Sequence, residues 1–305
     1  MRAVFDRTRL VGWFFQSLTG LACLIIVAMV AIILGNIVLH GLEKLRLGFI
    51  LKSPEAGMTE GGIFPAIVGT FSLVVLMTIA VVPLGVATAV YMHEYAPRRS
   101  RLVGLVRLAI QNLAGVPAIV FGLFGLGFFV GFVGRGVDKV LYGGELNYGQ
   151  PAIIWAALTM ALLTLPTVVV ASEEALRAIP QNYREVAYSL GATRWQVLRR
   201  VVLPQAVGGI LTGGILAVSR GAGEVAPVMF TGAAYFLPYL PTRLNDQFME
   251  LGYHVYVLTT QSPDVEATKP MLYGTVLVLL LLTFSLNFTA IMIRARIRRR
   301  QLGGR

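Results

Sequence analysis

Two charged residues lie inside a long apolar segment, in the stretch AVSRGAGEVAP at residues 217–227. Arg220 precedes Glu224 by four residues, so on a helix the two side chains share a face and can bond each other. Such a bond matters because an unpaired charge at membrane depth costs from about 3 to more than 10 kcal/mol. The surrounding glycines leave room for another helix or a water path: Gly213, Gly214, Gly221 and Gly223.

Two roles are open to this pair. It could be a structural ion pair that holds its helix against a neighbour. Alternatively, Arg220 could lie beside a path through the membrane, where its guanidinium would bind a passing oxyanion. Glu224 would then compete for the arginine and keep the contact transient.

The rest of the chain shows no pattern typical of a catalytic, metal or nucleotide site. A P-loop needs Gly-Lys followed by Ser or Thr, and none of the four lysines follows a glycine. His40, His93 and His254 lie near the ends of apolar segments and form no metal-ligand cluster. We therefore expect no enzyme activity, no metal and no cofactor. Energy for any work would come from a separate ATPase or an ion gradient.

The composition indicates that membrane helices position these residues. Hydrophobic residues make up 56% of the 305-residue chain and charged residues only 13%, with a mean hydropathy of +0.73. Soluble proteins carry about 25% charged residues. The net charge of +11 does not indicate nucleic-acid binding, because the basic residues lie between apolar runs. The single cysteine, Cys23, excludes an intrachain disulfide.

Six segments are long and apolar enough to cross a bilayer as helices, which takes about 20 residues. The fold class predicted is an all-α membrane protein. The first apolar run is too long for the core of a signal peptide, so we expect it to remain as a first span. It has fewer of the small residues that let helices pack closely, which predicts a peripheral position. The predicted spans are 11–39, 64–92, 105–132, 152–172, 205–231 and 271–293.

The distribution of Lys and Arg predicts that both termini are cytoplasmic. Eighteen of these residues lie in the N-terminus, the 93–107 region, the 173–204 loop and the C-terminus, and seven lie in the alternate loops. The basic tail 294–305 fits an anchor that binds anionic membrane lipid. We divide the chain into an N-terminal part (1–63), a core (64–293) and this tail.

The cytoplasmic loop 173–204 is too polar to span the membrane and predicts two short helices. Pro180 suits the first turn of the first helix, Gly191 the left-handed position that ends it, and Thr193 the N-cap of the second. Such an element is either a hairpin lying on lipid headgroups or a docking element for a soluble partner.

The segment EVAYSLGATRWQVLRRVVLP in this loop resembles the EAA loop of ABC importer permeases. That pattern is Glu-Ala-Ala, three residues, Gly, nine residues, then Ile-x-Leu-Pro. The resemblance implies that the first short helix docks on an ATPase subunit and carries its movement to the bundle. The residues that match are Glu185, Ala187, Gly191, Leu203 and Pro204, whereas Val186 and Val201 replace an alanine and an isoleucine.

Further stretches resemble phosphate ABC transporter permeases, most closely the PstA type: GGIFPAIVGTF, PLGVATAVYMHEYAP, NLAGVPAIVFGLFGLGFFV and GILAVSRGAGEVAPVMFTG. The resemblance covers most of the chain from Gly61 onward. It implies a type I importer bundle, a PstC-like second permease, PstB-like ATPase subunits that bind the ATP, a PstS-like phosphate-binding protein outside, and inorganic phosphate as substrate. It also favours the substrate-path reading of Arg220 and Glu224.

Three other functions compete with this one. The chain could import another oxyanion, such as sulfate or molybdate. It could be an ion-coupled secondary transporter or channel working alone, although no two inverted halves are evident. A membrane scaffold is the weakest alternative, because it gives no reason for the charges.

The outer loop 233–270 is rich in aromatic residues: Tyr235, Phe236, Tyr239, Phe248, Tyr253 and Tyr256. Aromatic side chains favour the membrane interface, so an amphipathic anchor is one interpretation. The other is a docking surface for a protein that delivers substrate.

Overall fold

The computed structural model describes residues 2–55, 58–97 and 100–303, and most of this part is helical. Arg98, Arg99 and part of the basic tail, which entered the orientation prediction, lie outside the described side chains. The elements are α1 (Arg2–Lys44), α2 (Leu47–Leu51), β1 (Pro54–Glu55), β2 (Glu60–Gly61), α3 (Phe64–Val90), α4 (Arg101–Leu113), α5 (Ala118–Phe124), α6 (Arg135–Leu141), α7 (Ile153–Arg177), α8 (Gln181–Ser189), α9 (Arg194–Val197), α10 (Leu203–Gly221), α11 (Ala226–Thr231), α12 (Leu251–Thr260) and α13 (Val265–Gly303). Antiparallel β1 and β2 form one small hairpin.

Three π-helical turns make longer helices from these pieces: Tyr91–Tyr95 extends α3, Gly125–Gly134 joins α5 to α6, and Leu198–Val202 joins α9 to α10. Six helical stretches in the described residues are long and apolar enough to cross a membrane, which confirms the predicted number. They cover Val11–Lys44, Phe64–Tyr95, Ala118–Leu141, Ile153–Arg177, Arg194–Gly221 and Val265–Ile297.

The third span begins later than predicted. The range 105–132 contains part of a separate helix, α4, and a break at residues 114–117. Pro117 explains the break, because a proline disfavours helical backbone in the residue before it. The span itself starts at Ala118 and continues to Leu141.

The fifth span is also wrong as a single helix over 205–231. Its helix begins earlier, at Arg194, and passes through the π turn just before Pro204. It ends at Gly221, and a separate helix, α11, starts at Ala226. Residues 222–225 between them are not helical.

The centre of the bundle is α7, which packs against α3 and α10. Within the chain, 67% of the most apolar part of α7 is buried, whereas 0% of the corresponding part of α1 is. Small residues allow the close approach: a Cβ atom at Gly85 would lie 2.7 Å from Val168, and one at Gly213 would lie 2.8 Å from Ala171.

The first span is peripheral, as predicted. Helix α1 packs against α13 at its C-terminal end, where Gly41 meets Leu277 and the ring of His40 stacks on Tyr273 at 5.0 Å. From Val11 to Ile33, the helix presents apolar side chains outward, among them Trp13 and Ile32.

The outer loop is folded into the bundle. Two of its backbone carbonyls cap the start of α7: Ile153 N donates to Asp246 O at 2.9 Å and Ile154 N to Leu244 O at 3.1 Å. The preceding amide, Ala152 N, donates to Thr231 O at the end of α11, at 2.9 Å. Phe248 is completely buried, whereas Tyr239 is 64% exposed. The aromatic residues therefore do not share one environment, and the loop is more than an interfacial segment.

Candidate functional site

The break in the fifth span holds Arg220 and Glu224. Arg220 lies in the last turn of α10, and Glu224 lies beyond its end. The arginine Nε and the glutamate Oε1 are 3.4 Å apart, a long contact, and the two side chains are 40% and 27% exposed. The predicted i,i+4 contact is present, but it bridges the helix end instead of lying on a continuous helix.

This break lies within the thickness of the bundle. A Cβ atom at Gly221 would lie 2.5 Å from the sulfur of Met77, which is at the middle of α3, and Met160 of α7 is also adjacent. Non-helical backbone at membrane depth occurs where it is buried in protein or lines a water-filled cavity. Gly223, with open space around it, gives the break an accessible side.

Sequence reasoning missed a polar side chain near this break. Asn287 of α13 donates from Nδ2 to Ser219 Oγ at 3.3 Å. Its Oδ1 is buried and has no hydrogen-bond partner in the described part of the chain. An asparagine inside the apolar run of the sixth span was the available signal. Among the described residues, no ion pair joins Arg220 or Glu224 to another span.

The cytoplasmic loop forms the first of the two short helices predicted for it, α8, as a separate element. The second prediction is wrong in part, because α9 is not a separate helix and continues through the π turn into the fifth span. Gly191 has a φ of +80° just after α8, where Ala192 N donates to Ala187 O at 3.1 Å and Gly191 N to Tyr188 O at 2.9 Å. These bonds form a Schellman motif, which requires the left-handed residue that glycine supplies. Thr193 caps α9 in a capping box with Gln196.

The predicted coupling residues occupy different environments. Glu185 is exposed on α8, and Gly191 is exposed at its end. Ala187 is half-buried and packs with the core under the loop, as does Leu203 at the start of α10. Pro204 follows on the exposed side of α10. Large apolar side chains of α8, of the turn after it and of α9 are also exposed: Tyr183, Val186, Tyr188, Leu190 and Trp195.

Two ion pairs beneath α8 were not singled out from the sequence. Arg184, almost fully buried, bonds Glu94 at 2.7 Å, and Arg107 bonds Glu173. They line a cleft of about 1030 Å³ between the loop and the ends of α3 and α7. The sequence signal for these ion pairs was four charged residues next to apolar runs. Nothing in the sequence indicates which of the four pair with each other.

At the opposite end of the bundle, two buried titratable side chains lie near the start of α12. The carboxylate of Glu250 accepts from Gly252 N at 2.8 Å and Tyr253 N at 2.6 Å, and burial raises its pKa to about 7. Burial lowers the pKa of His254 to about 4. In the part of the chain that the structure describes, no group of three or more His, Cys, Asp or Glu side chains could hold a metal ion.

Comparison with known families places the geometry in context. Residues 81–302 match the model of a family described as binding-protein-dependent transport system inner membrane component. The probable ABC transporter permease YqgI of Bacillus subtilis is 32% identical, over 81% of this chain and 84% of its own length. The probable phosphate transport system permease PstA of Methanocaldococcus jannaschii is 34% identical, over 74% and 73%. The phosphate transport system permease PstA of Haemophilus influenzae is 32% identical, over 73% of both.

Solved structures show the same fold at low sequence identity. A chain of a bacterial alginate ABC transporter, crystallised with its alginate-bound periplasmic protein, superimposes with a TM-score of 0.64 at 16% identity, covering 92% of this chain and 95% of that one. A chain of the inward-facing methionine ABC transporter MetNI gives a TM-score of 0.53 at 17% identity, covering 77% and 94%.

Proposed function

The chain belongs to the family of binding-protein-dependent transport system inner membrane components, and from this membership we propose that it is the permease subunit of an ATP-driven importer of inorganic phosphate. It is a multi-pass transport subunit of the inner membrane. The observation that supports the substrate is the half-exposed Arg220 at the break in the fifth span, in a chain whose relatives include permeases named for phosphate transport.

The exposure of this arginine has a physical consequence. A guanidinium facing hydrocarbon is costly, so Arg220 faces a water-filled path or another protein chain. Both conditions hold if a second, PstC-like permease pairs with this chain and the path runs between the two. This chain would then supply half of the translocation pathway.

Arg220 and Glu224 would make phosphate binding transient. The guanidinium offers a fork of N–H donors that fits an oxyanion. Its contact with Glu224 is long, so an incoming phosphate can displace the carboxylate. The carboxylate can then reclaim the arginine and release the anion.

The loop 173–204 would couple this path to ATP. The exposed side chains of α8, Glu185 among them, would provide a surface for PstB-like ATPase subunits. ATP would bind to those subunits, and this chain would hold no cofactor. The positive-inside distribution then places both termini in the cytoplasm, and a PstS-like protein would deliver phosphate from outside.

The test is phosphate uptake by the complete complex in proteoliposomes. Arg220→Gln removes a charge-assisted bond worth roughly 1.5–3 kcal/mol, so we expect uptake to fall by roughly 10- to 100-fold while the complex assembles. Lys269→Gln is the control, because it removes a positive charge that is paired with Glu266 at the start of α13.

Two results would contradict this role. Normal uptake by Arg220→Gln would exclude the substrate contact, and loss of assembly would favour the structural ion pair. Competition by sulfate and molybdate identifies the anion: stronger inhibition by either than by unlabelled phosphate would favour the other oxyanion. Uptake by the purified chain without ATP would favour the ion-coupled transporter.

A further inference from the structure

Arg184 points to the inner, buried side of α8, whereas its neighbour Glu185 is exposed. Its Nη2 donates to Glu94 Oε1 at 2.7 Å and to Leu176 O at 3.0 Å, and its Nη1 donates to Ile179 O at 2.9 Å. The side chain is 6% exposed. Its donors are thus shared between one carboxylate and two backbone carbonyls.

These partners belong to two different spans. Glu94 lies in the π turn that ends the second span, and Leu176 lies in the last turn of α7, the fourth span. Helix α8 is covalently continuous with the fourth and fifth spans through short connections. Helix α8 has no such connection to α3. The bond between Arg184 and Glu94 is therefore a noncovalent link between α8 and the second span.

The second span leads directly to the break beside Arg220. Met77, at the middle of α3, lies against Gly221 at the end of α10. Any movement of α3 along or about its axis therefore changes the packing of the residue that precedes the break. Helix α3 is a physical connection between the cytoplasmic loop and the proposed anion contact.

We propose that Arg184 is a positioning residue that transmits the movement of α8 to α3 through Glu94. This proposal rests on the proposed function, in which an ATPase moves α8. When α8 moves, the buried pair moves with it, because separating the two groups inside the protein would leave each charge without its opposite charge. The end of α3 therefore follows α8.

Two variants test this connection in reconstituted complexes. Arg184→Lys keeps the charge but cannot bond Glu94, Leu176 and Ile179 in the same fork geometry. Glu94→Gln keeps the shape and an acceptor oxygen but removes the negative charge. The measured quantity is the number of phosphate ions imported per ATP hydrolysed.

We expect both complexes to assemble and hydrolyse ATP, with the phosphate-to-ATP ratio reduced by roughly 2- to 30-fold. The double variant is expected to be no worse than the worse single variant, because both act through one contact. Arg177→Gln is the control. It removes a more exposed arginine from the same cleft and leaves the bonds of α8 intact.

The outcomes separate the two levels of the proposal. A wild-type complex that imports no phosphate with ATP overturns the proposed function. A functional wild type whose ratio is unchanged by Glu94→Gln overturns the connection, even where thermal stability falls. If the Arg184→Lys complex fails to assemble, the result for Glu94→Gln alone tests the connection. A phosphate-to-ATP ratio that Arg177→Gln reduces equally also overturns the connection.

Discussion

Glu250 and His254 are buried one helical turn apart, and burial changes their proton affinities in opposite directions. It raises the pKa of Glu250 from 4.5 to about 7 and lowers that of His254 from 6.5 to about 4. The folded protein therefore holds both side chains uncharged over much of the range between these values. Their effects on stability oppose each other.

For Glu250, the folded state binds more protons than the unfolded state between pH 4.5 and 7, so its contribution to stability falls as pH rises through that window. For His254, the unfolded state binds more protons between pH 4 and 6.5, so its contribution rises with pH. The two slopes largely cancel between pH 4.5 and 6.5.

We predict that Glu250→Gln removes this cancellation. The stability of the variant should rise with pH between about 4.5 and 6.5, by up to about 1.4 kcal/mol per pH unit, because only the His254 term remains there. The measurement is thermal unfolding of the purified protein in lipid nanodiscs across this range. His254→Gln is the matched control and should show the opposite slope; parallel curves for all three proteins would refute the prediction.

At the scale of elements, the local motifs were predictable and the interruptions were not. Gly191 and Thr193 occupy the positions expected for them, because helix caps depend on residues close in sequence. Gly221, at the end of α10, packs against Met77, a residue far away in the chain. The charge pairs Arg184–Glu94 and Arg107–Glu173 likewise join distant segments, so no sequence spacing reveals them.

The contact between α3 and the outer loop depends on a glycine. A Cβ atom at Gly69 would lie 2.0 Å from the backbone oxygen of Met249. We predict that Gly69→Ala lowers the thermal unfolding temperature, because a backbone carbonyl cannot move aside as a side chain can. Gly208→Ala in α10, where the added methyl group meets open space, is the control. Alanine favours a helix by roughly 0.5–1 kcal/mol over glycine, so the control should be neutral or more stable.

An equal unfolding temperature for Gly69→Ala and Gly208→Ala would contradict the close packing of α3 against the outer loop. A lower temperature for both would indicate that the effect is not specific to the Met249 contact.

At the scale of the whole molecule, the order and number of spans follow from hydrophobic length, which needs no knowledge of packing. How deeply each span is buried in the bundle can be seen only in the structure. Helix α1 and helix α7 are both apolar, yet α1 is almost uncovered and α7 is the most buried. Composition indicated the difference only in part, through the scarcity of small residues in α1.

The proposed orientation places α8 inside the cell and residues 233–264 outside. In a Cys23→Ala background, we predict that Leu190→Cys reacts with a membrane-impermeant maleimide only in inside-out vesicles, and that Tyr239→Cys reacts only in right-side-out vesicles. Both side chains are well exposed, at 84% and 64%. The reverse labelling pattern would overturn the orientation, and labelling of both sites from one side would overturn the number of crossings between them.

The hydrogen bonds that cap the start of α7 make its first amide hydrogens sensitive to movement on the outer side of the protein. The first amides of most helices lack a partner within the helix, but here those of Ala152, Ile153 and Ile154 are held by carbonyls of residues 231–246. Opening of the outer loop releases the amide hydrogens of Ile153 and Ile154 to exchange with solvent, while the interior of α7 stays protected. Deuterium uptake at these two positions thus follows movement of the outer loop without any label attached to it.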